Sequence, residues 1–304
     1  MCLRYWTTMI SRRRYFEIAI PSVPEPVVDA WRTLVSVLSK SKCLPKSFYL
    51  SQIAGHEEPY HSERLLRLDS KEIESLIVER NLSGFRVNTG HSAISVDYSL
   101  SHMKESGRQS VLNCRIENKA NAPDDWTPLI EAMMIQWPCI GGWQWDHLYR
   151  MWQWMSSEAG YERNFGPIPP MVTRHIKKSV DEIGADRDIV DISMNPGRMK
   201  ELLVGVHFYP TAEMWLGPHF WQYASCSKEE VLAANFFIEK RDTPHFLYLK
   251  CWPRPFTRPD GEQGRMQQRI WKLFFHEDCE WPPGSGIICD EPMYGPPELM
   301  PKTS

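Results

Sequence analysis

Apolar and polar residues alternate over Tyr15 to Ile20 (YFEIAI), the two-residue period of a half-buried strand. A three-and-four spacing follows at Trp31, Leu34, Val35 and Leu38, and predicts a helix that Pro26 can open. Ser47 to Ile53 reads as a second strand. Ser70 to Glu79 reads as a helix, with Ser70 as cap and Ile73, Leu76 and Ile77 on one face. Three short β segments come next, at Gly84 to Asn88, Ser92 to Tyr98 and Val111 to Glu117. The turn-rich Ser99 to Ser110 joins the last two as a hairpin.

Asn121 to Asp125 is a polar break, after which Trp126 to Trp137 suits a helix with Pro128 in its first turn. Gly141-Gly142 ends that pattern, and Asp146 starts a second helix carrying Leu148, Tyr149, Trp152 and Met155. Gly166-Pro167-Ile168-Pro169-Pro170 is the clearest hinge. Beyond it the pattern predicts a helix over Val172 to Ile183, a strand over Ile189 to Ser193 and a turn at Asn195-Pro196-Gly197. Strands are expected near Leu202 to Phe208 and Phe246 to Trp252, and helices near Lys228 to Asn235 and Arg265 to Phe275. The Pro- and Gly-rich C-terminal stretch is expected to wrap the surface. Strands and helices intermix without strict βαβ alternation. That points to an α+β fold with mixed or antiparallel sheets and flanking helices. The expected organisation is a flexible lead (1–14), an N-terminal α+β unit (15–165) and a C-terminal one (166–304), packed separately or as one globule. Tyr15–Ser22 and Ile189–Gly197 each read as a strand followed by a proline turn, a hint of two related subdomains.

Charge adds a tilt to this picture. Net charge is −3, which disfavours a nucleic-acid binder relying on bulk charge. Residues 1–120 hold 17 Lys/Arg against 13 Asp/Glu, and the remainder hold 18 against 25, so the second part suits a basic partner. The eight cysteines are scattered without CxxC spacing, and Cys251 sits among apolar neighbours, as buried thiols of a reducing compartment do. Ser11-Arg12-Arg13-Arg14-Tyr15-Phe16 imitates a twin-arginine export signal, but Glu17, Pro21, Pro24 and Pro26 interrupt the apolar stretch it needs. A cytoplasmic protein is therefore expected, with no membrane partner.

Eleven of thirteen tryptophans fall after residue 125, mostly in phrases such as Trp143-Gln144-Trp145-Asp146, Trp152-Gln153-Trp154 and Trp215-Leu216-Gly217-Pro218-His219-Phe220-Trp221. Side chains this large and rigid either pack a core or anchor a protein partner. Trp145, Trp152 and Met155 fall near helical spacing and read as core; His219 reads as packed. Trp215 and Trp221 bracket a Gly-Pro turn that leaves room for one of them to be exposed. No Lys or Arg lies between Ala212 and Ser225, so stacking of single-stranded nucleic acid there is poorly supported.

The sharpest enzymatic pattern is Asp97 on one strand with Glu117-Asn118-Lys119 on the next, which resembles the PD-(D/E)xK nuclease signature. Two carboxylates would hold Mg²⁺ and the lysine would orient the attacking water. The same parity is what a solvated hairpin face gives. His276-Glu277-Asp278-Cys279 with Cys289 offers only one loose pair toward a metal. No GxGxxG, P-loop, HExxH or GxSxG phrase occurs. The expectation is a non-enzyme with no catalytic residue, cofactor, metal or small-molecule substrate.

The ordered phrases Trp126-Thr127-Pro128-Leu129-Ile130-Glu131, Trp143-Gln144-Trp145-Asp146, Asp191-Ile192-Ser193-Met194-Asn195-Pro196-Gly197-Arg198 and Trp215 to Trp221 resemble the bacterial polymorphic-toxin immunity proteins of family 52. Pro255-Phe256, Gly261-Glu262-Gln263 and Cys279-Glu280-Trp281-Pro282-Pro283 complete the resemblance over roughly residues 15–300. It implies an antitoxin in bacterial competition. Its partner would be a cognate restriction-endonuclease-like DNase toxin, a type VI secretion effector, inhibited by protein–protein association. It carries over no catalytic residue and no direct contact with nucleic acid. Acidic groups with aromatic anchors would suit a basic DNase groove, which makes Asp124, Asp125, Trp143, Asp146, Trp215, Phe220 and Trp221 the candidate toxin-contact residues.

Overall fold

The computed structural model describes residues 127–165, 167, 176–180, 186–193, 195–203 and 206–277, the strands at 14–21, 47–52, 82–88, 92–100 and 110–118, and isolated helical positions at 28, 31, 32, 36, 74, 75 and 79. Its frame is a nine-stranded sheet whose pairings are all antiparallel. In chain order the strands are β1 (Arg14–Pro21), β2 (Ser47–Gln52), β3 (Leu82–Asn88), β4 (Ser92–Leu100), β5 (Ser110–Asn118), β6 (Gly141–Asp146), β11 (Glu213–Leu216), β12 (Glu239–Asp242) and β13 (Leu247–Lys250). Across the sheet they lie β12-β13-β11-β6-β1-β5-β4-β3-β2. Two hairpins stand apart: β7 (Ile176–Val180) with β8 (Asp186–Val190), and β9 (Lys200–Leu203) with β10 (Val206–Phe208). The α+β class read from the pattern is the class observed.

The hydrophobic pattern sets the register. Ile94, Val96 and Tyr98 of β4 lie opposite Ile116, Cys114 and Leu112 of β5, so a slip of one residue would set apolar positions against polar ones. On the other side of β1, Trp143 of β6 lies opposite Met214 of β11 and Gly142 opposite Trp215. β6 belongs to the expected N-terminal unit and β11 to the C-terminal one, so a single sheet runs across the division at 165/166.

Helix α1 spans Thr127–Gln136, α2 His147–Trp154, α3 Glu158–Phe165, α4 Lys228–Ala233 and α5 Gly261–Phe275. Asp146 caps α2 by accepting from the Tyr149 N–H at 2.9 Å. Ser227 and Glu230 form a capping box on α4. α5 buries Gln267, Ile270, Trp271, Phe274 and Phe275, the stripe that a helix lays on a sheet. That stripe meets Phe208, whose ring lies 4.9 Å from Phe275, 5.4 Å from Phe274 and 5.9 Å from Trp271. Met214, Leu216, Leu247 and Leu249 close this core from the sheet. Strand alternation sends Trp215 to the opposite face, where its indole donates to Glu131 of α1. A smaller cluster of Trp152, Tyr161 and Val190 joins α2, α3 and β8.

Four expectations are corrected. The helix over Val172 to Ile183 is, where described, strand β7, paired Ile176 to Val190 and Lys177 to Ile189; β-branched residues there favour the pleat once a partner strand exists. Gly141-Gly142 opens a strand rather than merely ending a helix, because Gly142 lies between Ile18 and Trp215 in the sheet. Leu202 to Phe208 is two strands of a hairpin. β11 and β12 were invisible to periodicity, being four residues each. The C-terminal wrap lies outside the described residues.

Candidate protein-binding site

Most of the sequence-derived contact residues are structural. Trp143, Trp215 and Phe220 are each 0% exposed and belong to the interior, so none can anchor a partner on the folded surface. The reason is sheet parity: a strand between two neighbours leaves its large side chains no exit except into a packed layer. Trp221 is half-buried, with its ring 5.5 Å from Phe220. Asp146 is half-buried and occupied as the α2 cap. Asp124 and Asp125 lie outside the described residues. His219, expected to pack, is exposed.

The nuclease pattern is not assembled by the register. Asp97 lies opposite Asn113, four positions along β5 from Glu117. At ~3.4 Å per residue the two backbone positions are about 14 Å apart along the strand, not side by side across it. Lys119 lies outside the described residues. Glu277, once considered for a metal cluster, instead pairs with Arg198 at 3.0 Å and with Lys200. Burial pushes its carboxyl upward, but hydrogen bonds from Lys200 and Arg198 outweigh that and hold it below the ordinary range. Asp278, Cys279 and Cys289 lie outside the described residues.

Periodicity did not single out the group that the fold brings to the surface. The Asp146 cap starts α2 immediately after β6, so Trp145 at the end of the strand stands beside the first turns of the helix. Arg150 projects from α2 with its guanidinium carbon 4.3 Å from the Trp145 ring centroid and 4.6 Å from that of Tyr209. Its Nη2 donates to the Tyr209 hydroxyl at 2.6 Å. Trp154, one helical turn on, lies 5.7 Å from the same guanidinium and is 47% exposed. Tyr209 in turn lies 4.7 Å from Trp145, which fixes the aromatic walls against each other. Arg150 Nε is buried and has no hydrogen-bond partner among the described residues.

A small cleft opens here, lined by Gln144, Trp145, Arg150, Tyr209, Thr211 and Gln267 among others. Its accessible space is ≈ 20 Å³, room for about one water molecule. Behind it the polar groups are already bonded: Tyr149 donates to Gln267 Oε1 at 2.9 Å, and Gln267 donates to the carbonyls of Arg258 and Gln263. The floor is therefore rigid, and the guanidinium is the group with donors to spare.

On the opposite face, Glu131 accepts from Arg241 and from the Trp215 indole. Its hydrogen bond raises the Arg241 pKa. Tyr248, beneath Arg241, is raised by burial and then by Glu213 and Glu239. These groups neutralise one another and hold α1 to the sheet. Burial lifts the thiol of Cys226 to about 11 and that of Cys251 to about 12. Neither is a poised nucleophile.

No family model matches the chain, and no curated protein matches it. Among solved structures the chain is similar to the Pseudomonas aeruginosa T6SS (type VI secretion system) protein PA0821. That likeness has 9% identity and a TM-score of 0.47, and covers 87% of this chain and 73% of that one.

Proposed function

We propose that this protein is an immunity protein that neutralises a type VI secretion nuclease toxin by tight stoichiometric binding, centred on the exposed Trp154 and on Arg150, which the buried Trp145 and Tyr209 hold in place. The observation that carries the binding reading is the half-exposed Trp154 beside a guanidinium that packs against two touching aromatic rings, Trp145 and Tyr209. Trp, Tyr and Arg are the residues most enriched in binding hot spots, and here they are pre-ordered before a partner arrives. The aromatic phrases that resemble immunity family 52 supply the class of partner.

An immunity protein has to occupy nearly every toxin molecule, which requires a Kd of roughly nanomolar or below, about −12 kcal/mol. Calorimetry against a catalytically inactive form of any nuclease toxin found encoded beside this gene tests the proposal. One-to-one binding in that range is the expected result, and no binding to any neighbouring toxin would sink the reading. Incubation with plasmid DNA and Mg²⁺ tests the rival nuclease. Cleavage lost in Glu117→Ala would establish that rival.

A further inference from the structure

Arg150 carries a full charge for which the described residues supply no carboxylate. Among the described residues its guanidinium meets aromatic faces and one phenol, and no carboxylate. The other partly buried guanidiniums have one: Arg198 has Glu277, Arg241 has Glu131 and Arg258 has Asp260. Withdrawing a cation from water without a counter-charge is costly, and ring faces return only part of that cost. The Tyr209 hydrogen bond and the two ring contacts hold the guanidinium in place, while its Nε has no acceptor among the described residues.

We propose that the cleft beside Arg150 is a socket for a carboxylate, filled by one aspartate or glutamate side chain of the partner protein. The inference rests on the protein-binding reading above and names the chemistry of its central contact. Three features select this occupant. A planar guanidinium with spare donors matches a carboxylate through two parallel N–H···O bonds. The space of ≈ 20 Å³ is far below the roughly 300 Å³ of a small-molecule site, so an occupant can place only its terminal atoms here, with the rest of it outside the cleft. Trp154, outside the cleft but 5.7 Å from the guanidinium and 47% exposed, offers the partner an apolar contact beside the ion pair. The protein is acidic as a whole, so the socket also fixes register: an acidic residue is repelled elsewhere on the second part of the chain and accepted here.

The full-length protein alone suffices for the first test. Sodium acetate and N-acetylglutamate amide are titrated at constant ionic strength, with sodium phosphate and sodium chloride in parallel. Tryptophan fluorescence and the Arg150 Nε–H resonance are followed. A saturable response to both carboxylates in the millimolar range, at least about tenfold weaker for phosphate, is expected. Arg150→Lys keeps the cation but removes the fork, and should lose the carboxylate response about tenfold or more with an unchanged melting temperature. The proposal falls if carboxylates give no saturable shift, if phosphate binds as well as acetate, or if Arg150→Lys responds as wild type does. These outcomes are separable from the fate of the immunity reading. A toxin bound with equal affinity by wild type and folded Arg150→Lys removes the socket and leaves immunity standing. A working acetate site with no toxin bound does the reverse.

Discussion

Gly217 sits where two backbone segments nearly touch. Its N–H donates to the Ile140 carbonyl at 2.9 Å, and the next turn returns to Cys139 through His219. A Cβ built on Gly217 would stand 2.0 Å from the Cys139 carbonyl oxygen and 2.6 Å from its carbon. Both obstacles are backbone, so no rotamer change relieves them. Relief needs a displacement of more than an ångström between β6 and β11, at the place where Trp143, Trp215 and Phe220 are fully buried. Overpacking of this severity, with the Gly217–Ile140 hydrogen bond disrupted, should cost about 3–5 kcal/mol for Gly217→Ala. For a chain of 304 residues the unfolding entropy is roughly 0.64 kcal/mol/K, so the melting temperature should fall by about 5–8 °C. Gly261→Ala is the control: its φ is +57° and nothing lies within 4 Å, so only left-handed backbone strain of about 1–2 kcal/mol is added. Differential scanning calorimetry of both variants decides. A Gly217→Ala protein that melts within a degree of wild type, or above Gly261→Ala, would refute the close-approach argument.

Three further outcomes are expected. Trp154→Ala should raise the toxin Kd by about tenfold or more while leaving the melting temperature within about 1 °C, because the ring is half exposed and lies outside both core clusters; unchanged affinity would remove it as an anchor. Glu277 has a folded pKa below its unfolded one. The stability it contributes is therefore complete above the ordinary carboxylate range near 4.5 and is lost as pH falls through the lowered value. Glu277→Gln should flatten the acid limb of a stability-versus-pH curve below the ordinary value of 4.5, and an unchanged limb would contradict the pairing of Glu277 with Arg198 and Lys200. Cys226 and Cys251 should react with a disulfide reagent at least about 100-fold more slowly in native protein than in denaturant, since burial lifts both thiols out of the thiolate range; modification of Cys251 within the mixing time would show that its site opens.

Local pattern carried the first five strands well. Alternation placed Tyr15–Ile20, Ser92–Tyr98 and Val111–Glu117 within a residue or two of β1, β4 and β5, because each stretch is long enough for its period to show. The Glu239–Asp242 strand has no apolar residue at all, and only pairing with β13 makes it a strand. Three of the binding candidates, Trp143, Trp215 and Phe220, are buried for a related reason. A tryptophan phrase looks the same whether its rings face a sheet's packed side or water, and Trp143 and Trp215 acquire their burial from strands far away in sequence. One signal was readable and went unread. Trp152 and Trp154 are two apart on a helix and cannot share a face, so one of them had to point outward. Arg150, one turn before Trp154, then marks where that outward face carries charge.

β1 lies inside the sheet, between β5 and β6, yet it is built from residues 14–21. Ile18 has to meet Cys114 on one edge and Gly142 on the other, the second about 120 residues along the chain. During synthesis this strand therefore leaves the ribosome long before either neighbour exists, with both rows of backbone hydrogen-bonding groups open. Contacts of such sequence separation make folding slow and leave the strand edges exposed in the nascent chain. On the immunity role proposed above, a stock folded in advance would protect a cell where synthesis on demand would come too late.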